Sequence, residues 1–334
     1  MTLLNEQYRL AARPVGMPKP SDWSYTEEPA PQPEEGEFLV ELEYLSLDPA
    51  MRSWMNAGRS YVPPVEIGEV MRAQGIARVL ESRHPKFQAG DTVSGAFGVQ
   101  RYAVSDGRGV LPVDTSLAPA PVQLGTLGIS GITAYFGLLD IGRPEPGQTV
   151  VVSAAGGSVG TVAGQIAKIK GCRTIGIAGG AEKCRLLVEE LGFDAAIDYK
   201  AGDLRGQLRE HAPDGVDVFF DNVGGPVLEA VLARLARGAR IVISGAVSQY
   251  NATERTPGPA NYMNLLVSRA SMTGFVVFDY APRYGEALKE LGSWLASGQL
   301  KSREHVVEGG IKAFPEALLK LFAGENTGKL VLAL

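Results

Sequence analysis

From residue 149 onward the chain repeats one unit: a short apolar run followed by a stretch with helical periodicity. The apolar runs are 149–155, 173–179, 195–199, 216–224 and 239–247. Between them, 159–171, 181–192, 204–212 and 226–238 carry apolar residues three and four apart. Runs this continuously apolar suit strands covered on both faces, and the intervening helices are the crossovers that parallel strands need. The pattern predicts a doubly wound parallel α/β sheet. A further strand is expected at 272–278 and a helix at 284–298.

The first 120 residues read differently. Segments 38–48, 75–82 and 91–104 alternate apolar and polar residues, and Pro and Gly clusters separate them. Short strands at close spacing predict a β-rich unit. The tail, 300–334, reads as strand, helix and strand and fits either part. A length of 334 residues suits about two domains.

Several function classes are excluded early. A net charge of −5 supplies no basic field for a nucleic-acid partner. No apolar run approaches the roughly 20 residues that span a bilayer, so no membrane partner is expected. The N-terminus lacks the order of a secretory signal. Two cysteines, Cys172 and Cys184, argue against a disulfide framework and fit a reducing, cytoplasmic compartment. The three histidines, His84, His211 and His305, leave little material for a catalytic metal.

The strongest chemical signal follows the first apolar run. Ser153-Ala154-Ala155-Gly156-Gly157-Ser158-Val159-Gly160 leaves a buried strand and opens a helix. Such a loop lets backbone approach a pyrophosphate closely, and the helix N-terminus offers N–H groups and a positive dipole. The usual three glycines appear as Ala154, Gly157 and Gly160, so the first is replaced. An NAD site would place Asp or Glu at the end of the second strand. Here that strand runs into Ala178-Gly179-Gly180-Ala181-Glu182-Lys183. Lys183, in the next helix's first turn, suits a 2′-phosphate, so the expected cofactor is NADP(H).

The chain resembles the zinc-free leukotriene B4 dehydrogenase/prostaglandin reductase group of the medium-chain dehydrogenase/reductase superfamily. It is most similar to the bacterial curcumin-reductase and plant double-bond-reductase branches. The blocks LSLDPAMR (45–52), YVPPVEIGEVM (61–71), GITAYFGLLDIG (131–142), DNVGG (221–225), SGAVSQYNAT (244–253), GFVV (274–277) and GENTGKLV (324–331) carry the resemblance. It implies a GroES-like β-rich catalytic domain, 1–121 plus 300–334, around a Rossmann NADP-binding domain, 122–299. Homodimers are also implied, with the strand near 272–278 pairing sheets.

The resemblance also implies site residues. Ala154, Ala155, Gly156, Gly157, Ser158, Val159 and Gly160 would hold the pyrophosphate. Gly179, Lys183 and Tyr199 would meet the 2′-phosphate. Asn222, Ser244 and Tyr250 would line the cofactor's path, with Thr133, Phe275, Val276 and Val277 near the nicotinamide and Asn326 reaching in from the tail. Tyr61 would be the catalytic hydrogen-bond or proton donor, and Ala50, Val99 and Tyr250 would complete the substrate pocket. Ala50 and Val99 stand where the family carries Tyr and Trp, so a wider pocket is expected.

The implied activity is NADPH-dependent reduction of the C=C bond of an enone or alkenal, with hydride going to the β-carbon and a proton, from Tyr61 or from water, to the α-carbon. Gly68-Glu69-Val70 lacks the histidine of the zinc-dependent alcohol dehydrogenases, which disfavours alcohol oxidation. Two alternatives remain open at this point: a zinc-free quinone reductase, and a non-catalytic NADPH-binding protein. Comparing rates with enones and quinones separates the first. Cofactor binding without hydride transfer would mark the second.

Overall fold

The computed structural model describes residues 3–334. The described residues divide into two compact units, 3–124 with 304–334, and 125–303.

In the first unit, β1 (Leu4–Leu10) pairs antiparallel with β2 (Trp23–Pro29). The alternation expected at 38–48 becomes β3 (Phe38–Ser46), which is central to a seven-stranded sheet. A one-turn helix, α1 (Ala50–Trp54), follows. Next come β4 (Gly75–Ser82), β5 (Thr92–Gly95), β6 (Tyr102–Ser105) and β7 (Leu111–Pro112). The single strand expected over 91–104 is thus two strands with different partners. β5 pairs with β4, whereas β6 crosses to β3. Val99, between them, has 0% of its surface exposed and lies in the core with Phe38, Met51, Met71 and Phe314.

The second unit opens with α3 (Ile129–Phe136), after α2 (Ala120–Leu124) has closed the first part of unit one. Its sheet strands are β8 (Thr149–Ser153), β9 (Arg173–Ala178), β10 (Ala195–Asp198), β11 (Val216–Asp221), β12 (Leu235–Ile243) and β13 (Ser271–Gly274). The order is β10-β9-β8-β11-β12-β13, with every pair parallel. The helices are α4 (Ser158–Ile169), α5 (Ala181–Glu189), α6 (Leu204–His211), α7 (Gly225–Leu232), α8 (Asn264–Ser268) and α9 (Tyr284–Ala296).

The continuous apolar runs have a direct cause. Val150, Val152, Val218, Phe220 and Val242 enter one core with α4 and α9. Val151, Ile175, Phe219 and Ile241 enter another with α6 and α7. Successive residues of a strand point to opposite faces, so a sheet covered on both faces needs apolar side chains at every position.

The chain then returns to unit one through β14 (Glu304–Val307), α10 (Phe314–Ala323) and β15 (Lys329–Ala333). β15 pairs antiparallel with β3, placing Val331 opposite Ser46. The unit boundaries differ from the expected 121/122 and 299/300. Ala120 and Leu124 of α2 pack on Ile76 and Val331, so that helix stays with unit one. Leu300 is buried in unit two, and the Lys301 N–H donates to Gln165 Oε1. The helix expected over 226–238 stops at Leu232 because Leu235 already pairs with Val216. The strand expected over 272–278 stops at Gly274. Among the described residues, no helix is long and apolar enough to cross a membrane.

The return is pinned by a buried cation. Lys329 is 2% exposed, and its Nζ donates to Asp48 Oδ1 at 2.5 Å and to the Leu47 carbonyl at 3.3 Å. Ser46 Oγ donates to the other Asp48 oxygen. Removing one partner of a buried pair strands the other. Lys329→Met is expected to cost about 3 kcal/mol in urea melts. Lys329→Met with Asp48→Asn should cost less than the sum of the two single changes. An unchanged midpoint for Lys329→Met would show that the pair contributes nothing.

Candidate active site

In unit two, β8 is the strand where the chain's winding changes direction: β9 lies on one side and β11 on the other. Open parallel sheets bind ligands beyond the strand C-termini at such a point. The loop after β8 is tight. Ala154, in the position of the missing first glycine, takes φ +46, a conformation L-residues other than glycine rarely adopt. Gly157 N–H donates to the Ala154 carbonyl. A Cβ on Gly160 would lie 2.3 Å from that same carbonyl oxygen, which is why α4 can start so close to the strand. Gly157 provides no side-chain cap, so the first turn of α4 meets the loop through backbone alone.

The loop residues are not equivalent. Ala155 is fully buried, and its N–H donates to the Ile177 carbonyl. It therefore anchors the loop to β9. The Lys183 stem lies against Gly156: a Cβ there would be 3.2 Å from Lys183 Cδ. Burial lowers the Lys183 pKa, and the charge of Lys200 lowers it further against the opposing pull of Glu182. Glu182 therefore acts on Lys183 electrostatically, despite its exposed position. Tyr199 and Lys200 both approach Gly179, where a Cβ would sit 2.9 Å from the Tyr199 ring and hydroxyl and 3.0 Å from Lys200 Cε. Lys200 is a cation that the sequence analysis missed. Its signal was adjacency to Tyr199 in the DYK stretch.

The centre of the sheet holds a second missed residue. Asp221 ends an apolar strand and has 0% of its surface exposed. It accepts from Ser153 Oγ at 2.7 Å, Val223 N–H at 2.9 Å and Gly224 N–H at 3.1 Å. Asn222 donates from its backbone to Ser153 Oγ and from Nδ2 to the Ser153 carbonyl, both at 2.8 Å. The N–H groups of Ser244 and Gly245 donate to the Asp221 carbonyl. One network thus ties the ends of β8, β11 and β12 together. The signal was a lone carboxylate closing VDVFFD.

The other expected residues of this unit have defined settings. Tyr250 Oη accepts from Ala246 N–H. Phe275 N–H donates to the Ile243 carbonyl, and its ring meets Tyr280 edge-on. Val276 is half-buried and Val277 buried, and Tyr284 Oη donates to the Val277 carbonyl. Burial pushes the Tyr284 phenol up to about 12, so it keeps the donated proton. The Thr133 hydroxyl donates to Ile129 one turn back.

In unit one, Tyr61 is 50% exposed, and its Oη accepts from Trp54 Nε1 at 3.3 Å. The Arg72 guanidinium lies over the Trp54 ring. Ala50 opens α1 and packs half-buried on the core. Val99 is corrected here. With no exposed surface it offers nothing for a substrate to touch, and it is a core residue. Asn326 is buried and donates from Nδ2 to the Gly328 carbonyl, holding its own turn.

Residues 6–113 match a family described as the N-terminal domain of oxidoreductase, and residues 158–293 one described as zinc-binding dehydrogenase. The chain is 44% identical over 333 residues to an NADPH-dependent curcumin reductase of Escherichia coli, covering 98% of this chain and 96% of that one. It is 41% identical over 298 residues to a 2-alkenal reductase (NADP(+)-dependent) of Nicotiana tabacum, covering 88% and 86%. Among solved structures, CurA from Vibrio vulnificus in complex with NADPH superposes with a TM-score of 0.93 at 45% identity, over 98% of each chain.

The second description names zinc, and the donors here do not fit it. Among the described residues, no group of three or more His, Cys, Asp or Glu is placed to hold a metal ion. His84 belongs to a turn, where its Nδ1 accepts from Lys86 N–H and its ring packs on Phe38 and Phe87. Cys172 is buried and donates to the Glu145 carbonyl.

Burial raises the Asp221 pKa against the pull of its donors. A carboxyl whose folded pKa is raised stabilises the fold less as pH climbs from about 4, its unfolded value, to the folded value. Ser153→Ala removes a donor to the charged form. It is expected to cost about 1–3 kcal/mol in urea melts at neutral pH, and less near pH ~4. An equal cost at both pH values would show that Ser153 acts without Asp221.

Proposed function

The chain belongs to the zinc-independent group of the medium-chain dehydrogenase/reductase family, and from that premise we propose that it is an NADPH-dependent reductase of the C=C bond of α,β-unsaturated ketones and aldehydes. The observation that carries the cofactor choice is the pair Lys183 and Lys200, with Tyr199, gathered where β9 ends. That turn carries two glycines in place of the carboxylate that would favour NAD. Relatives named for NADPH-dependent curcumin reduction and 2-alkenal reduction support the same reading.

When bound, NADPH supplies a hydride for the β-carbon of the substrate. Everything else falls to the chain. The β8–α4 loop receives the pyrophosphate on backbone N–H groups at a helix N-terminus. Asn222 and Ser244, held by the Asp221 network, line the cofactor's path with Tyr250, and Thr133 and Phe275 to Val277 form the wall for the nicotinamide. Asn326 is read as a further cofactor residue.

As the C=C bond takes up hydride, its electron pair moves toward the carbonyl oxygen, and a proton must finally reach the α-carbon. Tyr61 is the donor. A phenol is neutral at pH 7 and can give a hydrogen bond. The hydrogen bond its oxygen receives from Trp54 polarises its own O–H. Ala50 leaves room where the family carries a tyrosine, which favours bulky enones.

The protein is further read as a cytoplasmic homodimer. β13 is an outer strand of its sheet, with all four residues exposed. Nearby on the chain, Tyr262, Met263, Leu266 and Val267 expose apolar surface. An open strand edge beside apolar side chains is suited to pairing with its own copy across a two-fold axis. The free thiols of Cys172 and Cys184 fit a reducing compartment.

Two outcomes are expected. Enones and 2-alkenals should oxidise NADPH, and Tyr61→Phe should lower kcat by about 10²-fold with NADPH affinity kept. Turnover of quinones alone, or NADPH binding with no acceptor, would sink the reductase assignment. Light scattering should give a mass of two chains, and Met272→Lys with Leu266→Asp should give one. A wild-type monomer would sink the dimer.

A further inference from the structure

The turn that ends β9 and the turn that ends β10 are joined by one carboxylate. In the β10–β9 register, Asp198 lies opposite Ala178, the residue just before Gly179. Asp198 Oδ1 accepts the Gly180 N–H at 2.8 Å and the Lys200 N–H at 2.9 Å. Gly180 sits at φ +98, so its N–H is turned out of the strand ladder and toward β10. The same oxygen therefore fixes two backbones that are 20 residues apart and carry Lys183 and Lys200.

The geometry points to Asp198 as the positioning residue of a two-lysine clamp for the 2′-phosphate, with Lys200 as its second cation. This rests on the reading of the site as NADPH-binding. The side chains support it. Tyr199 and Lys200 fold back over Gly179, which has no Cβ to exclude them. The Lys183 stem crosses Gly156, so the lysine links the pyrophosphate loop to this turn. The two ammonium groups are near enough for Lys200 to depress Lys183, and a dianionic phosphate relieves that repulsion. The Asp198 oxygen facing these turns is already covered by two N–H donors.

The clamp places a carboxylate one strand away from the position used to select NAD. At the end of β9 an acid would face the ribose hydroxyls. At the end of β10 it faces backbone instead and presents cations on either side. The selectivity then depends on hydrogen-bond acceptance by residue 198, not on its charge.

The test is calorimetric binding of adenosine 2′,5′-bisphosphate and of AMP, which lacks the 2′-phosphate. Their affinity ratio is the readout, because general damage to the fold weakens both. The wild type is expected to prefer the bisphosphate. Lys200→Ala and Asp198→Ala should each shrink that preference by about tenfold. Asp198→Asn keeps a carbonyl oxygen at the same place and should retain the preference. Equal wild-type binding of the two nucleotides would overturn the NADPH reading itself. A wild-type preference that survives Lys200→Ala would overturn the role of Lys200. A preference that survives Asp198→Ala, or that falls equally in Asp198→Asn, would overturn the clamp.

Discussion

A carboxylate with no exposed surface stands at the centre of the nucleotide unit, and the ends of three strands depend on it. Asp221 receives the Ser153 hydroxyl from β8 and the N–H groups of the turn that follows β11. Its own carbonyl receives the N–H groups that follow β12. Burying a carboxylate is costly unless donors satisfy it. The cost is met here by a network that fixes Asn222 and the mouth of the β8–α4 loop. Without it, parallel strands would still pair, but their exits would be free to fray.

The same logic recurs away from the centre. At the outer side of the sheet, Asp198 joins two turns through backbone N–H groups. In unit one, Asp48 holds the buried Lys329 and so ties the returning tail to the end of β3. In each case a carboxylate at or just past a strand end organises a loop that local propensity alone would leave undecided. Loops carry the chemistry in such folds. Their precision comes from these anchors, because turn residues lack the paired ladder that aligns a strand.

Much of this was legible in the chain. The apolar runs were strands because both faces of the sheet are covered, so nothing in Val150-Val151-Val152 had to be polar. Gly160 was legible because a Cβ there collides with Ala154. Asp221 and Lys200 have little in their local sequence pattern that marks them. Their importance depends on partners 68 and 17 residues away in sequence, and spacing along one strand carries no information about such partners. Val99 was misread for the same reason. A valine in a GVQ stretch has the same local signature whether it lines a pocket or fills a core.

By itself the sequence determined the alternation of elements, the parallel class of the inner sheet, the glycine-lined turn and the scarcity of cysteine and histidine. These follow from periodicity, backbone sterics and residue inventory, all of which are local. Tertiary structure alone decided where the units divide, which strand Tyr102 joins, that Val99 is core, and that Asp198, Lys200 and Asp221 organise the loops. Those outcomes are set by burial and by hydrogen bonds between distant segments. Such bonds form only once the sheet has brought the ends of its strands together.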